Sequence, residues 1–377
     1  MKLGILKESK PREARVALTP SLVKTLVKKG FSIVIESEAG TRSNFSDDMY
    51  QESGASINPV AEDILKQSDI ILKVNAPTLH EAQLMREESI CISLLYPYTQ
   101  AELLEVFKTR RISAFAMDLV PRISRAQKMD ALSSQANLAG YKSVLLGANA
   151  LGKIFPLMMT AAGTITPAKV LIFGAGVAGL QAIATAKRLG ANVEVSDVRP
   201  ETKEQVESLG ARFLTVEGTN DVKTEGGYTR AVSADFLAKQ KTLIEKHIKD
   251  ADLVITTALV IGKESPILVT EDMVKSMKPG SVIVDMAVEW GGNCALSEID
   301  KTVIKHGITI IGESNLPALL PNNASQLYAV NISTLLEHLT DENGFNWDLE
   351  EEITKGALIT YQGALIHEFT QSILSKQ

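Results

Sequence analysis

A glycine-rich turn after an apolar strand is the feature of this chain that most directly predicts chemistry. Residues 170–179 read Val-Leu-Ile-Phe-Gly-Ala-Gly-Val-Ala-Gly, a strand pattern that ends in G-x-G-x-x-G. Gly174 permits a tight turn, Gly176 lets the backbone approach a pyrophosphate, and Gly179 lets the next helix pack closely. The helix beginning at Val177 offers free N–H groups to the phosphates. These four residues are predicted to line a dinucleotide site; the alternative is a strand–helix corner without a ligand.

An acidic residue follows the next strand at a spacing typical of NAD(H) sites. Residues 191–195 have the pattern of that strand, and Asp197 stands at its carboxyl end, 18 residues after Gly179. An acid at this place hydrogen-bonds the adenine ribose hydroxyls and repels a 2′-phosphate. Arg199 suits such a phosphate, but Asp197 argues against it. The sequence therefore predicts NAD(H) as the bound nucleotide.

The composition is that of a globular protein, and it excludes several function classes. The chain has 377 residues, enough for two domains, of which 45% are hydrophobic and 22% are charged. The net charge of −6 gives no reason to expect a nucleic acid partner. Cys91 and Cys294 lie far apart without C-x-x-C spacing, so we expect neither a metal site nor a disulfide. Without a signal-peptide pattern or an apolar run of about 18 residues, we expect a cytoplasmic protein.

Strand and helix patterns alternate along most of the chain and predict an α/β fold. Strand patterns cover residues 3–6, 32–35, 70–74, 91–94 and 112–116, a nucleotide-binding run covers 165–315, and helical patterns cover 124–151, 324–339 and 349–374. We expect two Rossmann-like parallel-sheet domains separated by a cleft. The first would comprise 1–135 plus 325–377, and the NAD(H)-binding domain would comprise 136–324.

A segment rich in charge and glycine interrupts the second half of the chain. About 18 residues separate the strand near Phe213 from the helix near Ser233, whereas such connections usually have about 2–6 residues. Tyr228 stands in this segment beside Gly226 and Gly227. Two alternatives remain open, a solvated insertion or a mobile lid with Tyr228 at its tip.

A run of polar residues at helical spacing suits the nicotinamide end of a dinucleotide. Gln127 and Asp130 are three residues apart, so we expect them on one helix face. Arg122 suits a carboxamide or a phosphate. On the residues alone, an exposed polar helix explains this pattern slightly better.

The ends of two later strands also carry polar residues. Thr257 and Ala258 follow the strand after Asp252, at the carboxyl edge where the cofactor should lie. Asp285 ends the next strand and is expected only to hold the chain turn. Arg15 and Lys73 are expected to pair with acids of the first domain rather than to bind a carboxylate ligand.

Residues 121–141 form a signature together with several other segments. These segments are 15–20, 72–74, 256–259, 277–285 and 291–294. Over essentially its whole length the chain resembles the NAD(H)-binding domain I of proton-translocating NAD(P)+ transhydrogenase. The resemblance implies that Arg122, Gln127 and Asp130 hold the nicotinamide end with Ser133 close by, and that Tyr228 belongs to a mobile loop.

The same resemblance implies partners. The family reaction is NADPH + NAD+ ⇌ NADP+ + NADH, coupled to proton translocation by other chains. NADP(H) would be held by a domain of the β subunit, and membrane-embedded transhydrogenase subunits would anchor the chain on the cytoplasmic face of the inner membrane. The chain itself would form a homodimer.

Alanine dehydrogenase is the related alternative, and it needs a proton acceptor that this sequence lacks. The dehydrogenase shares Arg15 and Lys73, but Tyr96 stands where its catalytic histidine would fall, and Glu289 replaces its later aspartate. The chain's own histidines are expected in ordinary surface roles. Hydride transfer between two nicotinamides moves no substrate proton, so it tolerates this loss. A third alternative is an NAD-sensing regulator without hydride transfer.

Nucleotide preference should follow Asp197. Calorimetric titration is expected to show NADPH binding at least about tenfold more weakly than NADH, because one unfavourable charge contact is worth on the order of 1.4 kcal/mol. Asp197→Ala should narrow this gap. Equal affinity of the wild-type chain for both nucleotides would contradict the assignment.

Overall fold

The chain forms two compact units that interrupt one another in sequence. The computed structural model describes residues 1–216, 224–225, 228–229, 234–259, 264–342 and 344–375, with the backbone alone for 224–225, 228–229 and 234–237. One unit comprises Met1–Gln135 with Pro317–Gln377, and the other comprises Ala136–Leu316. Among the described residues, no helix has the length and apolar sequence needed to cross a membrane.

The first unit is an eight-stranded sheet covered by helices. Its strands, in spatial order, are Ala364–Leu365, Leu358–Tyr361, Ser113–Ala116, Ile90–Leu94, Ile70–Asn75, Lys2–Ile5, Ser32–Glu36 and Ser56–Asn58. The last six pair in parallel, and the first two are antiparallel. Its α-helices are Pro20–Lys28, Asp47–Glu52, Ala61–Gln67, Leu79–Leu84, Ala101–Thr109, Pro321–His338, Glu352–Ala357 and Glu368–Leu374. Apolar clusters of buried residues cover both faces of this sheet, as parallel strands require.

The helical pattern expected over residues 349–374 is wrong in its centre. The helices Glu352–Ala357 and Glu368–Leu374 enclose the strand pair Leu358–Tyr361 and Ala364–Leu365. Positive φ angles at Gln362 (48°) and Gly363 (84°) turn the chain into a hairpin. The β-branched Ile359 and Thr360 then extend the sheet against Ser113–Ala116.

The second unit has the strand order of a dinucleotide-binding fold. In spatial order its strands are Arg212–Phe213, Asn192–Ser196, Lys169–Phe173, Leu253–Thr256, Val282–Asp285, Ile308–Gly312 and Lys301–Lys305. Neighbouring strands are parallel up to Ile308–Gly312, and Lys301–Lys305 is antiparallel. Its α-helices are Val177–Arg188, Lys203–Ser208, Ala234–Ile248 and Glu271–Ser276, and Ala131–Ala150 continues into it from the first unit. The predicted fold class, α/β with two Rossmann-like parallel sheets, is confirmed.

Short hairpins complete the two units. The first unit contains Thr340–Asp341 with Gly344–Phe345, and the second contains Met158–Thr160 with Gly163–Ile165. In the charged segment, the backbones of Thr224–Glu225 and Tyr228–Thr229 pair antiparallel. The rest of residues 217–233 and the side chain of Tyr228 lie outside the described residues, so the lid expectation stays a prediction.

The chain returns to the first unit at Pro317, before the residue 325 expected from the sequence. The reason is that the start of the helix Pro321–His338 is already bonded there. The Ser43 hydroxyl donates to the Pro321 carbonyl (3.2 Å), and the Asn322 amide donates to the Ser43 carbonyl (2.8 Å).

Close helix packing in the second unit depends on Gly140, which lies in the helix Ala131–Ala150. A Cβ added there would overlap the carbonyl of Ala178, at the start of the glycine-turn helix. Gly140→Ala is expected to lower the melting temperature, with a cost of about 1–3 kcal/mol. Gly152→Ala is the matched control because nothing lies within 4 Å of its added methyl group. Equal melting temperatures for the two variants would contradict this packing argument.

Candidate functional site

The glycine turn has the backbone geometry that close approach of a ligand requires. Gly174 has a φ of +99°, and its added Cβ would overlap the Thr257 hydroxyl. A Cβ on Gly179 would overlap the Gly174 carbonyl. Beside Gly176, the Arg199 guanidinium, 3.9 Å from its added Cβ, is the nearest atom among the described residues. The turn therefore leaves its backbone accessible at Gly176 and packs tightly at the other two glycines, which fits a dinucleotide pyrophosphate.

Asp197 lies beside this turn, but its carboxylate is already engaged. Oδ2 accepts from the Ala175 N–H (2.6 Å) and from Arg199 Nη2 (2.8 Å), and Oδ1 accepts from Arg199 N (2.8 Å) and Nε (3.0 Å). Its side chain is 4% exposed. The sequence placed Asp197 correctly at the strand end, but it did not predict that Arg199 compensates its charge.

Thr257 connects the two strands that diverge at the carboxyl edge of the second sheet. Its N–H and its hydroxyl both donate to the Phe173 carbonyl (2.9 and 3.0 Å). The strand order reverses between Lys169–Phe173 and Leu253–Thr256, and ligands of such sheets bind where it reverses. Thr257 and Ala258 therefore lie at the edge that the sequence predicted for the cofactor.

Asp285 does more than hold a chain turn. Oδ1 accepts from the Thr256 hydroxyl (3.0 Å) and the Ala287 N–H (3.0 Å), and Oδ2 accepts from the Asn293 and Cys294 N–H groups (both 2.9 Å) and the Ser297 hydroxyl (2.7 Å). This fully buried carboxylate thus folds the segment after its strand back onto the carboxyl edge. Asn293 comes to that edge as a result; the pair Gly291-Gly292 before it was the available signal in the sequence.

The predicted nicotinamide residues belong to the first unit. Residues 124–151 were expected to be helical throughout, but Ser124–Met129 is a 3-10 helix and the α-helix begins at Ala131. Asp130 lies between them and caps the α-helix, accepting from the Ser133 N–H (2.8 Å) and hydroxyl (2.6 Å). Gln127 and Asp130 therefore do not share a helix face, because the cap breaks the helix.

The 3-10 helix presents polar side chains from an anchored backbone. Ala126 and Met129 are buried in the core of the first unit, and Asn331 donates to the Lys128 carbonyl (2.8 Å). Arg122 and Gln127 are exposed. This is the arrangement expected of polar groups that meet a ligand.

Tyr96 stands at the carboxyl end of Ile90–Leu94 in a left-handed conformation, with a φ of 45°. The buried Asp118 carboxylate fixes this turn, accepting from the Leu95 N–H (2.6 Å) and the Tyr96 N–H (3.1 Å). Burial raises the pKa of Asp118 to about 6, against the lowering effect of these backbone hydrogen bonds. The place of a dehydrogenase histidine is thus occupied by a tyrosine on a strained, buried turn.

Arg15 and Lys73 are paired with acids, as the sequence analysis expected. Arg15 makes a two-point contact with Glu13, through Nε (2.8 Å) and Nη2 (2.6 Å), and Lys73 donates to Glu81 (3.0 Å) with Glu8 at 3.9 Å. Burial alone would raise the pKa of Glu13, but the charge and hydrogen bonds of Arg15 outweigh it and hold the pKa at about 2. Burial alone would lower the pKa of Lys73, but the charges of Glu8 and Glu81 raise it.

Four of the histidines have local partners. His247, His306 and His338 lie 2.7–3.0 Å from Glu194, Glu271 and Glu351. His367 caps the helix Glu368–Leu374, and burial lowers its pKa. Both cysteines are buried thiols, and within the described residues no cluster of three or more His, Cys, Asp or Glu residues is arranged to hold a metal ion.

These features define a nicotinamide-nucleotide-binding protein with two Rossmann-like sheets. Residues 4–139 match the N-terminal domain and residues 143–368 the C-terminal domain of the family described as alanine dehydrogenase/PNT. The chain belongs to this family.

Individual relatives place the chain within the family. It is 47% identical over 376 residues to an NAD(P) transhydrogenase subunit alpha chain of Rhodospirillum rubrum, covering 97% of this chain and 98% of that protein. The crystal structure of transhydrogenase from Sinorhizobium meliloti matches with a TM-score of 0.89 at 43% identity, covering 97% of this chain and 100% of the other. "Alanine dehydrogenase 2" of Staphylococcus aureus is 33% identical over 346 residues, 88% of this chain and 87% of that protein. The resemblance to transhydrogenase is confirmed, and alanine dehydrogenase is the more distant relative.

The raised pKa of Asp118 predicts a pH-dependent stability. Between about pH 4 and pH 6 the folded chain holds a proton on Asp118 that the unfolded chain releases, so this group's contribution to stability falls as pH rises. Asp118→Asn lacks this loss. Its melting temperature should therefore gain on the wild type from pH 4.5 to 7.5, by the equivalent of up to about 3 kcal/mol.

Scanning calorimetry of both proteins across this range provides the check. Changed hydrogen bonding in the variant adds the same offset at every pH, so the slope alone carries the information. A difference that is constant, or that shrinks with rising pH, would show that Asp118 is not a buried, destabilised carboxylate.

Proposed function

We propose that this chain is the NAD(H)-binding component of a proton-translocating NAD(P)+ transhydrogenase. The observation that carries the proposal is that Arg15 and Lys73, the charges a carboxylate substrate would need, are already neutralised inside the first unit, while the dinucleotide turn of the second unit is intact. Such a chain is suited to bind a nicotinamide nucleotide without a second small substrate of its own.

The residues of the second unit hold the adenosine diphosphate part of the nucleotide. Gly174, Gly176 and Gly179 let the pyrophosphate reach the start of the helix at Val177, where free N–H groups and the helix dipole stabilise negative charge. Asp197 accepts from the ribose hydroxyls, and Arg199 orients it. Thr257 and Ala258 form the neighbouring wall of the site.

The residues of the first unit orient the nicotinamide. NAD(H), when bound, supplies the hydride-carrying C4 of its ring, and the chain supplies no proton because transfer to a second nicotinamide needs none. The catalytic demand is therefore orientation. Gln127 and Arg122 hydrogen-bond the carboxamide and ribose, while the Asp130–Ser133 pair keeps this segment in place.

The second nicotinamide comes from a partner. The proposal places NADP(H) on a domain of the β subunit and proton translocation in membrane-embedded subunits, with this chain as a homodimer on the cytoplasmic face of the inner membrane. The Rhodospirillum rubrum relative is named as a subunit, which supports an assembly of several chains. The likeness to that protein over nearly its full length supports a similar role.

Hydride transfer should depend on Gln127. In a reconstituted assay with a soluble NADP(H)-binding partner, Gln127→Ala is expected to slow transfer by about 10²-fold, since small misplacements of reacting atoms are costly. Its affinity for NADH should change much less. Lys128→Ala is the matched control, because Lys128 is the exposed neighbour on the same 3-10 helix.

Full activity of Gln127→Ala would return this segment to the role of a solvated polar surface. Turnover of NADH with pyruvate and ammonium by the wild-type chain alone would contradict the proposed function. It would instead favour the alanine dehydrogenase alternative, with Arg15 and Lys73 as carboxylate ligands.

A further inference from the structure

We propose that Asn293 is a positioning residue of the nucleotide site, which holds the backbone of Ala258 in place and thereby sets the affinity for NAD(H). This inference rests on the proposed function and names a residue that neither the glycine pattern nor the nicotinamide segment contains. All of the contacts that support it lie within the second unit.

The Asn293 side chain makes both backbone hydrogen bonds of one residue. Its Oδ1 accepts from the Ala258 N–H (3.0 Å), and its Nδ2 donates to the Ala258 carbonyl (2.9 Å). Nδ2 also donates to the Pro266 carbonyl (2.8 Å). The side chain is fully buried, so these bonds form away from competing water.

This contact replaces a strand neighbour where the sheet ends. Thr256 is the last residue of its strand, paired with Phe173 on one side and Asp285 on the other. Ala258 lies two residues beyond it, after the sheet pairing has stopped. Asn293 satisfies its N–H and carbonyl as a neighbouring strand would, and so continues the ordered edge toward the predicted nucleotide.

Asn293 is itself rigidly held. Its N–H donates to Asp285 Oδ2 (2.9 Å), and its carbonyl accepts from the N–H groups of Leu268 (2.8 Å) and Val269 (2.9 Å). Gly292, with a φ of +83°, precedes it, and an added Cβ there would lie 2.8 Å from Asp285 Oδ2. A rigid donor–acceptor pair therefore faces Ala258.

The contact reaches the glycine turn through one residue. Thr257, next to Ala258, donates its N–H and hydroxyl to the Phe173 carbonyl at the start of the turn. Its hydroxyl also occupies the space that a Cβ on Gly174 would need. Loss of the Asn293 contact would free the chain after Thr257 and let this wall of the site move. A looser wall must be ordered when the nucleotide binds, which lowers the affinity.

The test compares Asn293→Ala with Ser297→Ala. Ser297 donates to the same Asp285 oxygen (2.7 Å), so its loss disturbs the support without removing a bond to Ala258. Calorimetric titration should show NADH binding to Asn293→Ala about tenfold more weakly than to the wild type, and to Ser297→Ala within about twofold. In the reconstituted assay the KM for NADH should rise with the Kd while kcat changes less, because the reacting ring is held elsewhere.

Asn293→Ser serves as a second variant in case the alanine variant does not fold, and it should weaken binding in the same direction. Folded variants that bind NADH within twofold of the wild type would overturn the role of Asn293. Equal weakening by Ser297→Ala would also overturn it, since that result indicates a general loss of support. Failure of the wild-type chain to bind NADH would contradict the proposed function itself.

Discussion

The structure of the second unit depends on how closely the glycine-turn helix approaches its own strand. Backbone atoms and the Thr257 hydroxyl fill the space where Cβ atoms of Gly174 and Gly179 would lie, so larger residues there would force the turn apart. Because the turn is this tight, the helix begins directly at the carboxyl edge of the sheet. That edge is also where the strand order reverses, and the adjoining chain segments therefore leave in opposite directions. The same packing thus creates both the fold and the place for a ligand.

Buried charge explains how a related fold can serve a different reaction. Removing a partner from a buried pair costs about 3–5 kcal/mol, since it leaves an uncompensated charge. Arg15 with Glu13, and Lys73 with Glu8 and Glu81, therefore form settled structural contacts in the first unit. Residues that would grip a small carboxylate in a dehydrogenase are held by internal acids here. This leaves orientation of a nicotinamide as the main task of the unit.

Much of the fold was predictable, because strand and helix periods are local properties of the sequence. The glycine turn, the strand before it and the acid after the next strand all follow from short-range spacing. The hairpin after Leu358 was missed, since its strands are short and the helices on both sides dominate the pattern. The break at Asp130 was missed because a capping aspartate and a helical aspartate look alike without coordinates.

The site was predictable only where residues act through their own backbone. Asp197 was placed correctly, but its pairing with Arg199 depends on a side-chain conformation that spacing does not determine. Asn293 lies 35 residues from Ala258 in sequence, and its role follows from the Asp285 contacts that fold its segment back onto the sheet edge. Such long-range hydrogen bonds have no periodic signal.

Isotope transfer tests the central claim, that the chain presents one nicotinamide directly to another. NADPH carrying deuterium at the transferred position of C4 is mixed in ordinary water with NAD+, this chain and its NADP(H)-binding partner. Direct transfer predicts that the NADH formed carries the deuterium in full, because no proton-exchanging group takes part in the step. NADH that has lost its deuterium to solvent would contradict the account.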